Sequence, residues 1–271
     1  MGKTMGFYQN FNLDLQRLSR ALRCIQSKPE MSHIALAQGM GVNQPVAEGY
    51  SSWLRHTGLA IIQPHNKYRL TPFGELTSQY DPSIADIGTQ WVLHYYLATD
   101  HTERSDAWYI LINEFLSSGL TFTSDQFQSY FTNMMGSQVK NQLALSKDPQ
   151  AALSTYVRPQ ALGRLGILTK SNTSYTAGWP DLPHILVAGY LLLDWWRNRY
   201  NQTNTLRFSQ LCQEEGSLGR ICLASNQQVR KFVTELTSLG YLSFSDTQHE
   251  PVNRLYSGPP QTLLESYYKK Q

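Results

Sequence analysis

Hydrophobic positions recur at helical spacing near the N-terminus. A leucine and isoleucine stripe over residues 15–25 predicts a first helix, and a shorter second helix follows over residues 32–38. The turn Gly39-Met40-Gly41 separates this pair from a third helix that ends near Thr57. Pro45 fits the first turn of the third helix, where a missing N–H costs little. Three short helices with a tight turn before the last predict a helix-turn-helix.

One pattern occurs three times along the chain. A leucine is followed by three residues, a glycine and a short apolar run, and the glycines are Gly58, Gly166 and Gly240. Because glycine adopts a left-handed conformation at little cost, it ends a helix readily. A polar turn and a tyrosine-bearing segment then predict an antiparallel hairpin. Helix, glycine and hairpin are the last helix and wing of a winged helix-turn-helix.

The second and third copies of this pattern differ in clarity. In the third copy Ser225 and Gln228 form a capping box. The buried stripe predicted for its last helix is Val229, Phe232, Val233, Leu236 and Leu239. In the second copy Pro159 is expected to divide the helix into segments over residues 148–157 and 160–165.

These patterns predict a mainly α fold with small β-hairpin wings. We expect tandem winged helix-turn-helix modules around a central helical unit. The predicted divisions are a first module over 1–80, an acidic helical hairpin over 81–121, a second module over 122–178, and a long buried helix with a third module over 179–271.

Charge is distributed unevenly along the 271 residues, whose total net charge is +3. Residues 1–80 carry +4, residues 81–125 carry −6 and residues 126–271 carry +5. This distribution excludes a uniformly basic coat that binds nucleic acid. Two basic segments around an acidic one indicate separate faces for phosphates and for protein, although an ordinary solvated surface would give the same balance.

Cysteine usage and hydropathy limit the cellular compartments in which the protein is expected. The three cysteines include no C-x-x-C pair, which favours a reducing cytoplasm over a disulfide framework or a zinc ribbon. The N-terminus lacks the apolar core of a signal peptide. The apolar run over residues 185–196 contains Asp194 and is shorter than the ~20 residues of a membrane span. We therefore predict a cytoplasmic protein that does not enter membranes.

Signatures of catalysis are missing from the sequence. It contains no phosphate-binding G-x-x-x-x-G-K-[ST], no dinucleotide-binding G-x-G-x-x-G, no H-E-x-x-H and no G-x-S-x-G. The seven histidines are scattered, and His94 has the surroundings of a core histidine. We predict no enzyme activity, no cofactor and no metal site.

A winged helix-turn-helix makes DNA contact the natural hypothesis. Its last helix would enter the major groove, and its wing would hold phosphates. The predicted DNA-binding residues are Gln44, Ser51, Ser52, Arg55, His65, Lys67 and Arg69 in the first module, and Gln227, Arg230, Lys231 and Arg254 in the third. Additional phosphate contacts are predicted for Arg17, Arg20 and Arg23 on the first helix.

Several ordered aromatic motifs resemble a known family. The motifs are Asp81–Asp86 with Thr89–Leu97, Trp108–Phe115 and Ser217–Leu223, within a similarity that spans about Met31 to Tyr256. The chain resembles a bacterial family of uncharacterised winged-helix-like proteins encoded near phage-defence and DNA phosphorothioation genes. The family's N-terminal His-Glu-x-Phe…Trp-Leu pattern is not evident here. Its last helix in the first module carries Lys and Arg where this chain has Gln44, Glu48 and Ser51.

The resemblance implies an accessory role in DNA modification or antiviral defence. We expect a non-catalytic adaptor that associates with DNA and with a protein of such a complex, and homo-oligomers are compatible with the sequence. One alternative is a protein–protein scaffold without DNA contact, because winged helices also dock proteins and the first predicted recognition helix contains Glu48. Another alternative is a transcriptional regulator.

Overall fold

The computed structural model describes residues 5–29, 31–63, 67–100, 104–136, 142–245 and 247–271. The chain divides into two units, Met1–Trp179 and Pro180–Gln271. Both units are mainly helical, and each carries small antiparallel β-structures. Within the described residues, no helix combines the length and the apolar character that crossing a membrane requires.

Three helices and a hairpin begin unit 1. The elements are α1 (Leu15–Ser27), α2 (His33–Met40), α3 (Gln44–His56), β1 (Ala60–Gln63) and β2 (Lys67–Leu70). Each helix starts behind a side chain that accepts a backbone N–H of the first turn, namely Asp14, Ser32 and Asn43. Gly41 ends α2 in the left-handed conformation, with φ of 66°. The helices predicted for this region are confirmed, but α2 continues through Gly39 and Met40, so the prediction that these two residues lie in the turn is wrong.

A helical middle follows in unit 1. It contains α4 (Pro72–Tyr80), α5 (Ile87–Ala98) and α6 (Asp106–Ile110), which continues into one π-helical turn at Leu111–Phe115. Several large aromatic side chains of this region are fully buried, among them Trp91, Tyr95 and Trp108. His94 is also buried, and its Nδ1 lies 2.8 Å from the hydroxyl of Tyr156. The expectation of a core histidine is confirmed.

The rest of unit 1 is a second helix-and-sheet arrangement. Its elements are β3 (Thr121–Thr123), α7 (Ser124–Met135), α8 (Gln142–Val157), a 3₁₀ turn (Gly163–Leu165), β4 (Leu168–Ser171) and β5 (Ser174–Ala177). The break predicted at Pro159 is present. The helix before it is longer than predicted, because Pro149 is accommodated inside α8. The predicted helix over 160–165 is wrong, since only the 3₁₀ turn forms there.

Unit 2 starts with the long apolar helix. Its elements are α9 (Ile185–Arg199), β6 (Thr205–Arg207), α10 (Phe208–Gln213), α11 (Leu218–Ile221), α12 (Asn226–Ser238), β7 (Leu242–Phe244), β8 (Pro251–Arg254) and α13 (Gln261–Tyr268). The capping box of Ser225 and Gln228 begins α12 as predicted. The prediction that Leu239 belongs to the buried stripe of α12 is wrong. Leu239 is 50% exposed because α12 ends at Ser238 and the helical spacing stops there.

All three predicted hairpins form. Antiparallel pairs join β1 to β2, β4 to β5 and β7 to β8, each after a glycine with positive φ. Two hairpins gain a third strand that the sequence pattern does not reveal. The strand orders are β3-β5-β4 in unit 1 and β6-β8-β7 in unit 2, so the same arrangement occurs in both units.

Candidate nucleic-acid interface

The N-terminal half of α3 presents amide and carboxylate groups. Gln44 is exposed, and its Nε2 donates to Oε1 of Glu48 at 2.8 Å. The Nε2 of Gln9 donates to the other carboxylate oxygen at 3.2 Å. These two hydrogen bonds lower the pKa of Glu48, so its carboxylate is ionised at neutral pH. The face therefore carries a fixed negative charge, which disfavours a DNA phosphate beside Gln44.

Ser51 does not face solvent, and its predicted outward position is wrong. Its side chain is 2% exposed, and its Oγ donates to the carbonyl oxygen of Glu48 at 2.7 Å. The reason is that α3 packs against α1, α2 and β1 at once, so it buries more than a single stripe. Ser52 and Arg55 are half-buried on the same helix.

The hairpin β1–β2 presents two exposed basic side chains. Lys67 lies opposite Gln63, and Arg69 lies opposite Ile61. Between them Tyr68 points inward, and its hydroxyl lies 2.8 Å from Nδ1 of His33. This alternation keeps Lys67 and Arg69 on the solvent side of the hairpin. The predicted contact His65 lies outside the described residues.

In unit 2 the predicted contacts on α12 differ in availability. Gln227 and Lys231 are exposed. Arg230 forms an ion pair with Glu250, and its guanidinium lies 4.6 Å from the ring centre of Phe208 and 5.3 Å from that of Phe244. Because a carboxylate compensates its charge, Arg230 is a weaker phosphate ligand than its sequence position suggests.

Three arginines of unit 1 converge on one open cavity of about 600 Å³. We call it the arginine pocket, and it is defined by Arg20 and Arg23 of α1 and by Arg164 of the 3₁₀ turn. All three side chains are exposed. The sequence indicated Arg20 and Arg23 as phosphate contacts but gave no sign of Arg164, because the two segments are far apart in the chain.

The loop Asp81–Asp86 forms one wall of the arginine pocket and orients two of the guanidiniums. Nε of Arg23 donates to the carbonyl oxygen of Pro82 at 3.3 Å, and Nη1 of Arg164 donates to that of Ala85 at 2.9 Å. Carbonyl oxygens are neutral acceptors, so these bonds fix direction without compensating the positive charge.

The carboxylate of Asp81 holds this loop in shape. It accepts hydrogen bonds from the backbone N–H groups of Ala85 and Asp86, both at 3.0 Å, and from Oγ of Ser83 at 3.1 Å. The bonds secure Ile84 in the left-handed region, with φ of 56°, where a β-branched residue is strained. The negative charge of Asp81 is thus directed into the loop.

The arginine pocket has a net positive charge. Besides the three guanidiniums, one carboxylate, that of Asp14, lines it. Asp14 caps α1, and its Oδ1 accepts the backbone N–H of Arg17 at 3.0 Å. Three planar guanidiniums outnumber one carboxylate, which already accepts a backbone N–H. The pocket therefore suits a ligand with more than one phosphate.

A buried carboxyl group lies elsewhere in unit 1, at Asp148. The residue is 1% exposed, and its Oδ2 accepts the backbone N–H of Gly6 at 2.9 Å. Burial raises the pKa of Asp148 to about 6. Among the described residues, no group of three or more His, Cys, Asp or Glu side chains is placed to hold a metal ion.

Solved structures share this fold, among them two of SspB. An SspB crystal structure matches with a TM-score of 0.82 and 17% identity, and a magnesium-ion-bound SspB crystal structure matches with a TM-score of 0.80 and 16% identity. Each match covers 99% of this chain and 88% of the SspB chain. No curated protein matches.

A family model described as "Protein of unknown function (DUF4007)" matches residues 8–268. That range covers most of both units and all residues that line the arginine pocket. The chain therefore belongs to the DUF4007 family.

Proposed function

We propose that the protein is a DNA-associating adaptor built from winged helix-turn-helix modules. Support for the modules comes from unit 2, where a helix, a strand, two short helices, the long α12 and a two-stranded wing follow in order. The third strand β6 completes the sheet beside β8. Unit 1 repeats the sheet order with β3, β5 and β4 and carries a further hairpin after α3.

One observation carries the DNA hypothesis, and it is the arginine pocket. Guanidiniums that neutral carbonyls orient keep their full charge for an external anion. DNA offers closely spaced phosphates, and bidentate arginine contacts fit their geometry. Lys67 and Arg69 add exposed positive charge on the hairpin of the same unit. Since phosphate contacts carry no base information, we expect weak sequence preference.

The role in a modification or defence system rests on the family resemblance. Membership of DUF4007 and the shared SspB fold are compatible with it. In this role the protein brings a modifying enzyme to DNA and performs no chemistry itself. The predicted protein partner would dock on a surface other than the arginine pocket.

The exposed face of the N-terminal half of α3 favours a second function, which is protein docking. It carries Gln44, the ionised Glu48 and Gln9 in one hydrogen-bonded group. Such a face repels phosphates and offers both donors and acceptors to a protein. If the whole protein were a scaffold, a tagged pulldown from the native host would recover a stoichiometric partner, and DNA would not bind at low salt.

The DNA hypothesis is tested by titrating fluorescent duplex and single-stranded DNA at two salt concentrations. We expect affinity to fall steeply with salt. The variant R20Q/R23Q/R164Q should lose at least tenfold in affinity at low salt. A charge-matched control, K170Q/R207Q/K270Q, changes three exposed side chains that do not line the pocket and should lose less than threefold. Equal losses in both variants, or no DNA binding by the native protein, would reject the hypothesis.

A further inference from the structure

A pair of arginines faces a cavity in unit 2. Arg197 near the end of α9 and Arg254 at the end of β8 line a cavity of about 320 Å³. Polar side chains complete its wall, namely Asn201, Asn204 and Ser257. The sequence predicts a DNA contact for Arg254, and the position of Arg197 beside it follows only from the fold of unit 2.

Both guanidiniums are oriented by neutral acceptors. Nη2 of Arg197 donates to the carbonyl oxygen of Ser257 at 2.6 Å and also to that of Gly258. Nη2 of Arg254 donates to Oδ1 of Asn204 at 2.9 Å. No carboxylate is among the described residues that line this cavity. The cavity thus holds two positive charges in fixed directions without a counter-ion from its own wall.

This arrangement is electrostatically unfavourable for Arg254. Burial and the neighbouring charge of Arg197 lower the pKa of Arg254. Its Nη1 is buried and has no hydrogen-bond partner in the described part of the chain. Two like charges at this distance repel each other, and an anion between the guanidiniums would relieve that repulsion.

We propose that this cavity binds one phosphate group between Arg197 and Arg254. A tetrahedral dianion compensates both charges and can accept hydrogen bonds from both guanidiniums. The amide groups of Asn201 and Asn204 and the hydroxyl of Ser257 lie on the same wall as further polar ligands. The cavity is larger than a phosphate ion, so the phosphate can belong to free phosphate or to a nucleic-acid strand. This proposal concerns unit 2 alone and does not depend on the arginine pocket.

The direct test is calorimetric titration with inorganic phosphate at constant ionic strength. We expect saturable binding by the native protein, at least a tenfold loss in R254Q and in R197Q, and a smaller loss in R254K, which keeps the charge but not the planar fork. Circular dichroism checks that each variant is folded. If R197Q does not fold, R254Q and R254K decide the outcome. No saturable binding, or unchanged affinity in R254Q, would overturn the proposal.

A second arm separates this site from the arginine pocket. The same titration in R20Q/R23Q/R164Q should retain the binding that depends on Arg254, even if DNA affinity is lost. If phosphate binding disappears in this variant and persists in R254Q, the anion site is the arginine pocket and the proposal is wrong.

A third arm identifies the source of the phosphate. Oligonucleotides with and without a 5′-phosphate compete against inorganic phosphate. Displacement only by the phosphorylated strand supports binding of a strand end, and equal displacement by both supports a backbone phosphate. Displacement by neither supports free phosphate as the ligand.

Discussion

The first and third helix–glycine–hairpin copies share a backbone and differ in their surroundings. Gly58 and Gly240 both adopt positive φ, at 74° and 78°. A Cβ added at Gly58 would lie 2.4 Å from the ring of Tyr96, whereas one at Gly240 would meet nothing within 4 Å. The local pattern thus specifies the turn in both copies. Tertiary packing determines whether a side chain can be added at the glycine of each copy.

The same contrast applies to the charged residues of the two copies. The first copy exposes Lys67 and Arg69 on its hairpin. In the third copy Arg230 is paired with Glu250 and lies over two phenylalanine rings. The exposed basic residues of the first copy lie on its hairpin, whereas Arg230 lies on the helix of the third copy and is engaged by a carboxylate and two rings.

The largest expected effect is the loss of stability in Gly58→Ala, for which Gly240→Ala is the comparison. At Gly240 only the left-handed backbone is strained, which costs about 1–2 kcal/mol. At Gly58 the methyl group must also displace the Tyr96 ring, so we expect a total loss of about 3–4 kcal/mol. Urea unfolding of both variants measures these losses. Equal losses would mean that the two surroundings do not differ in packing.

The first copy also lies near the buried carboxyl group of Asp148, which accepts the backbone N–H of Gly6. Phe7, the next residue, contacts Trp53 of α3 with ring centres 4.9 Å apart. Because the pKa of Asp148 is about 6 in the folded protein against 3.8 ordinarily, the folded state retains this proton more strongly than the unfolded state. Its contribution to stability is therefore present below pH 4 and is lost as pH rises through 6.

Asp148→Asn should remove this pH dependence. Relative to the variant, the native protein should lose on the order of 3 kcal/mol of unfolding free energy between pH 4 and pH 7. Chemical denaturation of both proteins across this range measures the difference, which should vanish near pH 3.5. A difference that does not change with pH would contradict the raised pKa.

The smallest effects are expected at Arg230 and Glu250 of the third copy. Both side chains are more than a third exposed, at 39% and 34%, so R230Q should cost only about 0.5–1 kcal/mol of stability. Its DNA affinity should change less than twofold. E250Q frees the guanidinium and should strengthen DNA binding a few-fold in fluorescence titrations. A tenfold loss in R230Q would show that the ion pair does not withhold Arg230 from DNA.

Much of the fold was predictable because its signals are local. Cap residues, the apolar stripe of α1 and the glycines that end helices act within a few residues, and they located α1, α2, α3, α12 and the three hairpins. The strands β3 and β6 were missed because each has three residues, too few to show alternation, and each pairs with a strand about 50 residues later.

The candidate sites were less predictable because they depend on contacts between distant segments. Arg164 reaches the arginine pocket only through the fold of unit 1, and the ion pair of Arg230 needs Glu250, 20 residues away. Ser51 was assigned to the wrong face because α3 packs on several neighbours at once. Helical periodicity indicates which face is more apolar, and it does not indicate how many faces are covered.

The salt dependence of DNA affinity tests the central claim most directly. The logarithm of the association constant is measured against the logarithm of salt concentration for the native protein and for R20Q/R23Q/R164Q. If the three arginines contact phosphates, the slope should become shallower by about three in the variant. The control K170Q/R207Q/K270Q should keep the native slope. An unchanged slope in R20Q/R23Q/R164Q would contradict phosphate binding in the arginine pocket.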